Sequence, residues 1–245
     1  MAGAYALHGY LPFSLAARSW RQKFRRLRGR PEAPVARLTQ APWTHVLKAR
    51  PIRLTETGKS DGNVRLSELA ILSLAAADVP PGSEIIEIGT FEGRTALNLA
   101  INAPAGVLIA TLDLPADQPS ALDIEASERR YVDKPTPGAR LRRCNTIWRS
   151  AAARVEQLRG DSATYDWSPH HGRAGLVFVD GSHSFDYARK DSETALRLVR
   201  PGGVVLWHDY GVWPGVNQAL EELEATKGLG LVAIAGTSLV FWRAE

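Results

Sequence analysis

The chain has 245 residues, with 30 Lys and Arg against 26 Asp and Glu, 44% hydrophobic and 23% charged residues, and one cysteine, Cys144. These proportions exclude wholesale disorder and a collagen-like chain, and the length carries one large domain with an appendage. No apolar run is long enough for a membrane-spanning helix, and one cysteine allows neither an internal disulfide nor a cysteine-rich zinc site, so a cytoplasmic protein is expected.

The net charge of +4 divides at residue 50: residues 1–50 hold ten bases and one acid (+9), and residues 51–245 hold 20 bases and 25 acids (−5). A basic amphipathic arm and linker over 1–50 thus precedes a mildly acidic domain over 51–245. Within the arm Trp20, Phe24 and Leu27 recur at i, i+4, i+7 among Arg18, Arg21, Lys23, Arg25, Arg26 and Arg28, the pattern of a short amphipathic helix. Such a stripe packs on its own domain or on a second copy of the chain in a homo-oligomer. Alternatively it lies on the inner face of a membrane as a peripheral contact, or collars an anionic acceptor. Pro31, Pro34, Pro42 and Pro51 punctuate the passage that follows.

From residue 64 strands alternate with helices. The pattern predicts a helix over 64–77 opened near Asp61, a strand at 84–88, a helix at 93–102 and a strand at 107–113. A long segment at 114–152 comes next, then strands at 154–159 and 174–180, a helix at 184–199, a strand at 203–208 and a helix at 214–226. Strands at 229–235 and 238–243, joined near Gly236 and Thr237, close the chain as an antiparallel pair. The runs EIIEI, VLIATLD, AGLVFVD and GGVVLWHD lack polar alternation, as strands buried on both faces do. The fold class is therefore α/β: a Rossmann-like, doubly wound, mostly parallel seven-stranded sheet with an antiparallel C-terminal edge strand.

Ligands of open α/β sheets bind at the carboxyl ends of the strands. Those ends carry Glu87 to Gly93, Asp113, Gly160 to Ser162, Asp180 to His183 and His208 to Tyr210. Gly89 and Gly93 make a glycine turn from strand to helix, a relaxed form of a nucleotide-binding loop. Asp113 ends the next strand 20 residues after Gly93, where an acid accepts hydrogen bonds from two ribose hydroxyls. The pair points to an adenosine-containing ligand. Gly160-Asp161-Ser162 and Asp180-Gly181-Ser182-His183 superficially suggest an esterase, but they stand too close together in the chain for that family.

The ordered runs EIGTFEGRTALNLA, TLDLP, RGDSATYDW, LVFVDGSHSFDYARKDSETALRLVRPGGVVLWHDYG and GTSLVFW resemble class I S-adenosylmethionine-dependent methyltransferases, over roughly residues 60–245. Within that class they are most similar to bacterial glycan and natural-product (sugar) O-methyltransferases. The resemblance implies that Glu87, Gly89, Thr90, Phe91 and Gly93 hold the methionine part of S-adenosylmethionine. It further implies that Asp113 binds the ribose and that Asp161 and Ser162 edge the adenine. Asp180 and His183 match an element in which the aspartate binds Mg²⁺ or Mn²⁺ and the histidine is the general base. Asp209 matches a second metal-binding acid, with His208 standing where the family usually has a carboxylate.

The implied activity is O-methylation of a small-molecule or glycan acceptor. A sugar hydroxyl is far too weak an acid to attack unaided, which suits a histidine base and a hard cation. No nucleic-acid partner is expected. Alternatives are a hydroxylase-like enzyme of the same subgroup and a binding protein with a vestigial cofactor pocket. Among lesser candidates, Trp148 in the 114–152 segment suits a substrate lid, Tyr210 and Trp213 suit stacking on a sugar, and Asp191, His170 and His171 read as surface groups.

Overall fold

The computed structural model describes residues 37–58, 62–133 and 137–245. The amphipathic helix of the arm and Asp61 lie outside the described residues; the helix expected over 64–77 runs over Leu66–Ala77 with Arg65 at its N-cap. Eight strands form one sheet: β1 (Thr39–Ala41), β2 (Glu84–Ile88), β3 (Leu108–Asp113), β4 (Val155–Arg159), β5 (Ala174–Val179), β6 (Val199–Trp207), β7 (Val232–Ile234) and β8 (Val240–Arg243). Their spatial order is β1-β7-β8-β6-β5-β2-β3-β4. The neighbours β6-β5-β2-β3-β4 pair in parallel, while β8 runs antiparallel to both β6 and β7.

Helices α1 (Leu66–Ala77) and α2 (Arg94–Asn102) belong to one half of the chain, and α6 (Phe185–Leu198) and α7 (Pro214–Lys227) to the other. Three short helices, α3 (Arg129–Val132), α4 (Ala139–Arg143) and α5 (Arg149–Ala152), break up the 114–152 segment. The two sheet faces feed separate cores. Leu69, Ile71, Leu72 and Leu74 of α1 meet Ile85, Phe178 and Leu206 on one side. Ala195, Leu198 and Leu220 meet Ile86, Val177 and Val205 on the other. Every residue of β2 and β5 is buried, which accounts for their lack of polar alternation, and each large aliphatic side chain so buried contributes about 1.5–3 kcal/mol.

Two differences from the sequence-based topology have physical causes. β1 falls in the stretch that reads as linker and makes the sheet eight-stranded. It pairs in parallel with β7, whose outer edge would otherwise expose unpaired amides and carbonyls, and Trp43 and Leu47 behind it join the core. The C-terminal strand is antiparallel as expected but stands inside the sheet. The tight turn after β7 returns the chain into the gap beside β6, where Leu206 pairs with Phe241, and β1 takes the edge.

Candidate active site

Because β6, β5, β2 and β3 are consecutive in the sheet, their carboxyl ends open together into one cavity of about 440 Å³. Gly89, Phe91, Asp113, Asp161 and Ser162 line one part of it; Asp180, His183, His208 and Asp209 line the other. Gly89 is required by a close approach: a Cβ there would stand 2.1 Å from the Asp180 carbonyl oxygen, and its φ of +101° disfavours any side chain. Phe91 and Asp209 are non-glycine residues in the left-handed region, at φ 47° and 64°. Such outliers gather where a strand end must aim its groups into a site.

Asp113, which the resemblance assigns to the ribose, accepts at Oδ2 from the Phe91 amide at 2.7 Å and at Oδ1 from the Leu114 amide at 3.0 Å. Burial raises its pKa to about 6 against the lowering effect of those two amides. Each oxygen keeps further acceptor capacity toward the cavity.

Three residues assigned by resemblance to the cofactor loop, Glu87, Thr90 and Gly93, do not line this cavity. Glu87 sits opposite Thr111 in the β2–β3 register, and Thr111 Oγ1 donates to it at 2.5 Å. Burial pushes this carboxyl well above its ordinary range, despite the Thr111 hydroxyl. Thr90 Oγ1 stands 2.7 Å from Thr111 Oγ1, and Gly93 caps α2 in the left-handed conformation. Thr90 lines a second, smaller cavity together with Asp113.

Asp161 lines the cavity but is tied to the protein itself. Ala121 N and the Tyr187 hydroxyl donate to its Oδ2, each at 2.6 Å, and Ala163 N donates to Oδ1 at 2.8 Å.

The other half holds two imidazoles. His183 Nε2 lies 2.7 Å from Asp209 Oδ2, while its Nδ1 meets Glu128. Its ring stacks on Trp213 with centroids 4.5 Å apart and planes 5° from parallel. Burial alone would lower the His183 pKa, but the hydrogen bonds and charges of Asp209 and Glu128 raise it to about 9.

His208 Nδ1 lies 2.8 Å from Asp180 Oδ1 and 3.4 Å from Asp209 Oδ1, and its Nε2 lies 3.3 Å from Glu68 Oε2. Against burial, the charges of Asp180 and Asp209 hold it protonated well above the ordinary range. Burial would likewise raise Glu68, yet the hydrogen bond and charge of His208, with Arg65 and the Ser238 amide, hold it at about 2. Asp209 lies well below the usual carboxylate range, since both imidazoles overcome its burial.

Asp180, His183 and Asp209 form a group whose donor atoms lie within 4.8 Å of one another, compact enough for one cation. Two carboxylates in that group suit a hard ion such as Mg²⁺. His208 is not in that group; its ring lies between Asp180 and Glu68 and bridges them.

Sequence reasoning missed Glu68 and Glu128. Glu68 carried a signal, being the one charged residue in LSELAILSLAAA; it is fully buried. Glu128 carried none, as an acid in a polar segment. Four lesser expectations also change. Tyr210 is buried, and its hydroxyl accepts from Arg37 N and Leu38 N and donates to Glu221, so it cannot stack on a sugar. Trp148 packs beside the cluster of Ala96, Leu97 and Leu141, and Leu114, Ile124, Glu128, Tyr131 and Val132 of its segment line the cavity instead. His170 Nδ1 lies 2.8 Å from Glu84, whereas His171 is exposed. Asp191 is wholly buried, and a Cβ on Gly181 would stand 2.9 Å from its Oδ2. Burial raises Asp191 to about 7 against the opposing Ser162 hydroxyl.

Among the described residues no helix is long and apolar enough to cross a membrane. No curated protein sequence matches the chain. Among solved structures it resembles the O-methyltransferase NovP, at 17% identity and TM-score 0.57 over 74% of this chain and 80% of that one. It also resembles CalS11, calicheamicin methyltransferase, at 16% identity and TM-score 0.53 over 72% and 77%. A third likeness is to the O-methyltransferase TomG from Streptomyces achromogenes, solved in complex with SAM, at 21% identity and TM-score 0.51 over 76% and 83%. At these identities the likeness is one of fold, Rossmann-like with flanking helices. A family model described as "Methyltransferase domain" matches residues 86–210, just over half of the chain and the whole run of strand ends from β2 to β6. The chain therefore belongs to the methyltransferase-domain family, in keeping with its resemblance to the class I S-adenosylmethionine-dependent methyltransferases.

Proposed function

We propose that the chain is an S-adenosylmethionine-dependent O-methyltransferase acting on a sugar hydroxyl of a glycan, glycolipid or glycosylated metabolite. His183 is the general base, and Asp180 and Asp209 hold a divalent ion. The observation that carries this reading is that one cavity joins Asp113 and Gly89 at one part to His183, Asp180 and Asp209 at the other. The O-methyltransferases among the fold neighbours support the class of acceptor atom. The likeness of residues 180–183 to the sugar O-methyltransferase element supports the sugar.

The cofactor supplies an electrophilic methyl group for direct in-line displacement. Toward it the chain offers the Gly89 backbone, the Phe91 turn and the outward lone pairs of Asp113. Most of the rate gain in such a transfer comes from holding acceptor and methyl in line. Asp180 and Asp209 would hold the ion, whose charge lowers the pKa of a ligated hydroxyl.

His183 is aimed by its two neighbours. Nδ1 faces Glu128 and Nε2 faces Asp209 at the cavity, so an acceptor hydroxyl that takes the place of the Asp209 contact meets Nε2 directly. With both carboxylates in place the protonated ring is favoured; it acts as a base in the form that has released its Nε2 proton to solvent, with Nε2 then open to the acceptor hydroxyl.

Calorimetry tests the core of this reading. S-adenosylmethionine should bind, and Asp113→Ala should weaken binding at least about tenfold, the cost of losing charge-assisted hydrogen bonds to a ribose. No binding to the wild-type protein would overturn the reading. Methyl transfer from labelled cofactor to a panel of nucleotide sugars should stop in EDTA and return with Mg²⁺ or Mn²⁺; undiminished transfer in EDTA removes the ion from the proposal.

A further inference from the structure

We propose that Glu128 is the positioning residue of His183, and that it ties the readiness of the base to the placement of residues 121–132 over the cofactor cavity. This rests on the assignment of His183 as the base. Glu128 is 2% exposed although its neighbours Glu125, Arg129 and Arg130 are all exposed. One carboxylate has been turned inward from a surface segment, which is costly unless its oxygens meet donors. They do: Ser182 Oγ donates to Oε2 at 3.0 Å, the His183 amide donates to Oε1 at 2.5 Å, and His183 Nδ1 faces the same Oε1. All three donors belong to the turn after β5 that carries the base.

The same segment is fixed at a second place. Ala121 N donates to Asp161 at 2.6 Å and Leu122 N to the Tyr187 hydroxyl at 3.4 Å. Ile124 and Glu128, between and at these ties, line the cavity together with Tyr131, whose ring meets Phe91 edge-on at 5.8 Å. The segment thus covers the cavity from the ribose side to the base. A carboxylate on one imidazole nitrogen fixes the tautomer and leaves the other nitrogen to do chemistry. Here that carboxylate comes from the cover, while the Nε2 partner, Asp209, comes from the floor. Lifting the segment removes the Nδ1 partner and leaves Asp209 as the ring's remaining carboxylate contact. Covering the cavity and orienting the base are then one event.

The test reads His183 itself. Two-bond ¹H–¹⁵N spectra, assigned with His183→Ala, are compared between wild type, Glu128→Gln and Glu128→Asp, with S-adenosylhomocysteine calorimetry as the control for fold. Glutamine keeps its oxygen for the His183 amide and turns its NH2 to Ser182 Oγ, which can accept as well as donate, so a merely structural role is largely preserved by it. A positioning role is not, because the charge that holds the Nδ1 proton is gone. In Glu128→Gln, at a pH where the ring is neutral, the ring signals should move toward the other tautomer, while Glu128→Asp lies between the two. In the wild type, S-adenosylhomocysteine should slow amide exchange over residues 121–132. His183 spectra in Glu128→Gln that superimpose on wild type overturn the proposal. If they shift but the ligand leaves exchange over 121–132 unchanged, the coupling to the cover is overturned. A wild-type protein that binds no S-adenosylhomocysteine overturns the methyltransferase assignment instead, and the spectra still decide the role of Glu128.

Discussion

His183 and His208 follow adjacent strands, β5 and β6, and each ring stands between carboxylates from different parts of the chain. They differ in where the second carboxylate originates. His208 is backed by Glu68, which lies on α1 in the core, is fully buried, and accepts from Ser238 N and Oγ at 2.8 and 2.9 Å. His183 is backed by Glu128, which reaches in from a segment at the surface, where its neighbours Glu125, Arg129 and Arg130 are exposed. A partner built into the core holds its imidazole permanently, so His208 serves as a fixed positive strut between Asp180 and Glu68. A partner on a surface segment can come and go with that segment, so His183 is held ready only while the segment covers the cavity. Similar side-chain chemistry gives a scaffold in one place and a working group in the other, and the depth of the backing carboxylate makes the difference.

The comparison can be broken at several points. The largest expected effect is on turnover: His183→Ala should lower it by about 10²–10⁴-fold, as for loss of a general base. S-adenosylmethionine affinity measured by calorimetry should change little; comparable losses in both would make His183 a strut like His208. Next is Glu68→Ala, which strands a buried His208 and should cost about 3–5 kcal/mol. That corresponds to a fall in Tm of roughly 10 °C. Thermal unfolding of Glu128→Ala should show a clearly smaller fall, and equal falls would erase the distinction between core and cover.

A subtler effect concerns pH. The carboxylates at both nitrogens favour protonated His183, so the base form grows as pH rises toward about 9. The rate should therefore rise through that region, and in Glu128→Gln the rising limb should move to lower pH. Stability carries the opposite sign: the His183 contribution is complete below its ordinary value and is lost as pH rises through about 9.

The smallest effect lies behind the floor. Burial holds Asp191 neutral up to about pH 7, so the native state binds a proton that the unfolded chain has already lost above about pH 4. Stability from this group falls as pH rises between those values. Asp191→Asn should accordingly raise Tm more at pH 8 than near pH 4, and an equal gain at both would mean that the carboxyl is not strained by burial.

Much of this was legible in the sequence. The runs of β2 and β5, without polar alternation, announced strands buried on both faces, and their chain order with the helices pointed to a doubly wound sheet. Because chemistry in such sheets collects at strand ends, Gly89, Asp113, Asp180, His183, His208 and Asp209 could be named from their positions alone, and the fold brings them into one cavity. That inference is local: a strand end is defined by the residues beside it.

The rest depends on partners distant in the chain. Glu87 and Thr90 sit in the same loop text as Gly89, yet pairing with Thr111 across β3 turns them away from the cavity. β1 reads as linker because a three-residue strand has no periodicity of its own; the open edge of β7, almost 200 residues later, makes it a strand. Glu68 and Glu128 reach imidazoles 140 and 55 residues away. The sequence set the residue types and the strand ends where chemistry would gather. Which carboxylate backs which histidine, and from what depth, was decided by packing, because a charge's role depends on what surrounds it and how firmly that surrounding is held.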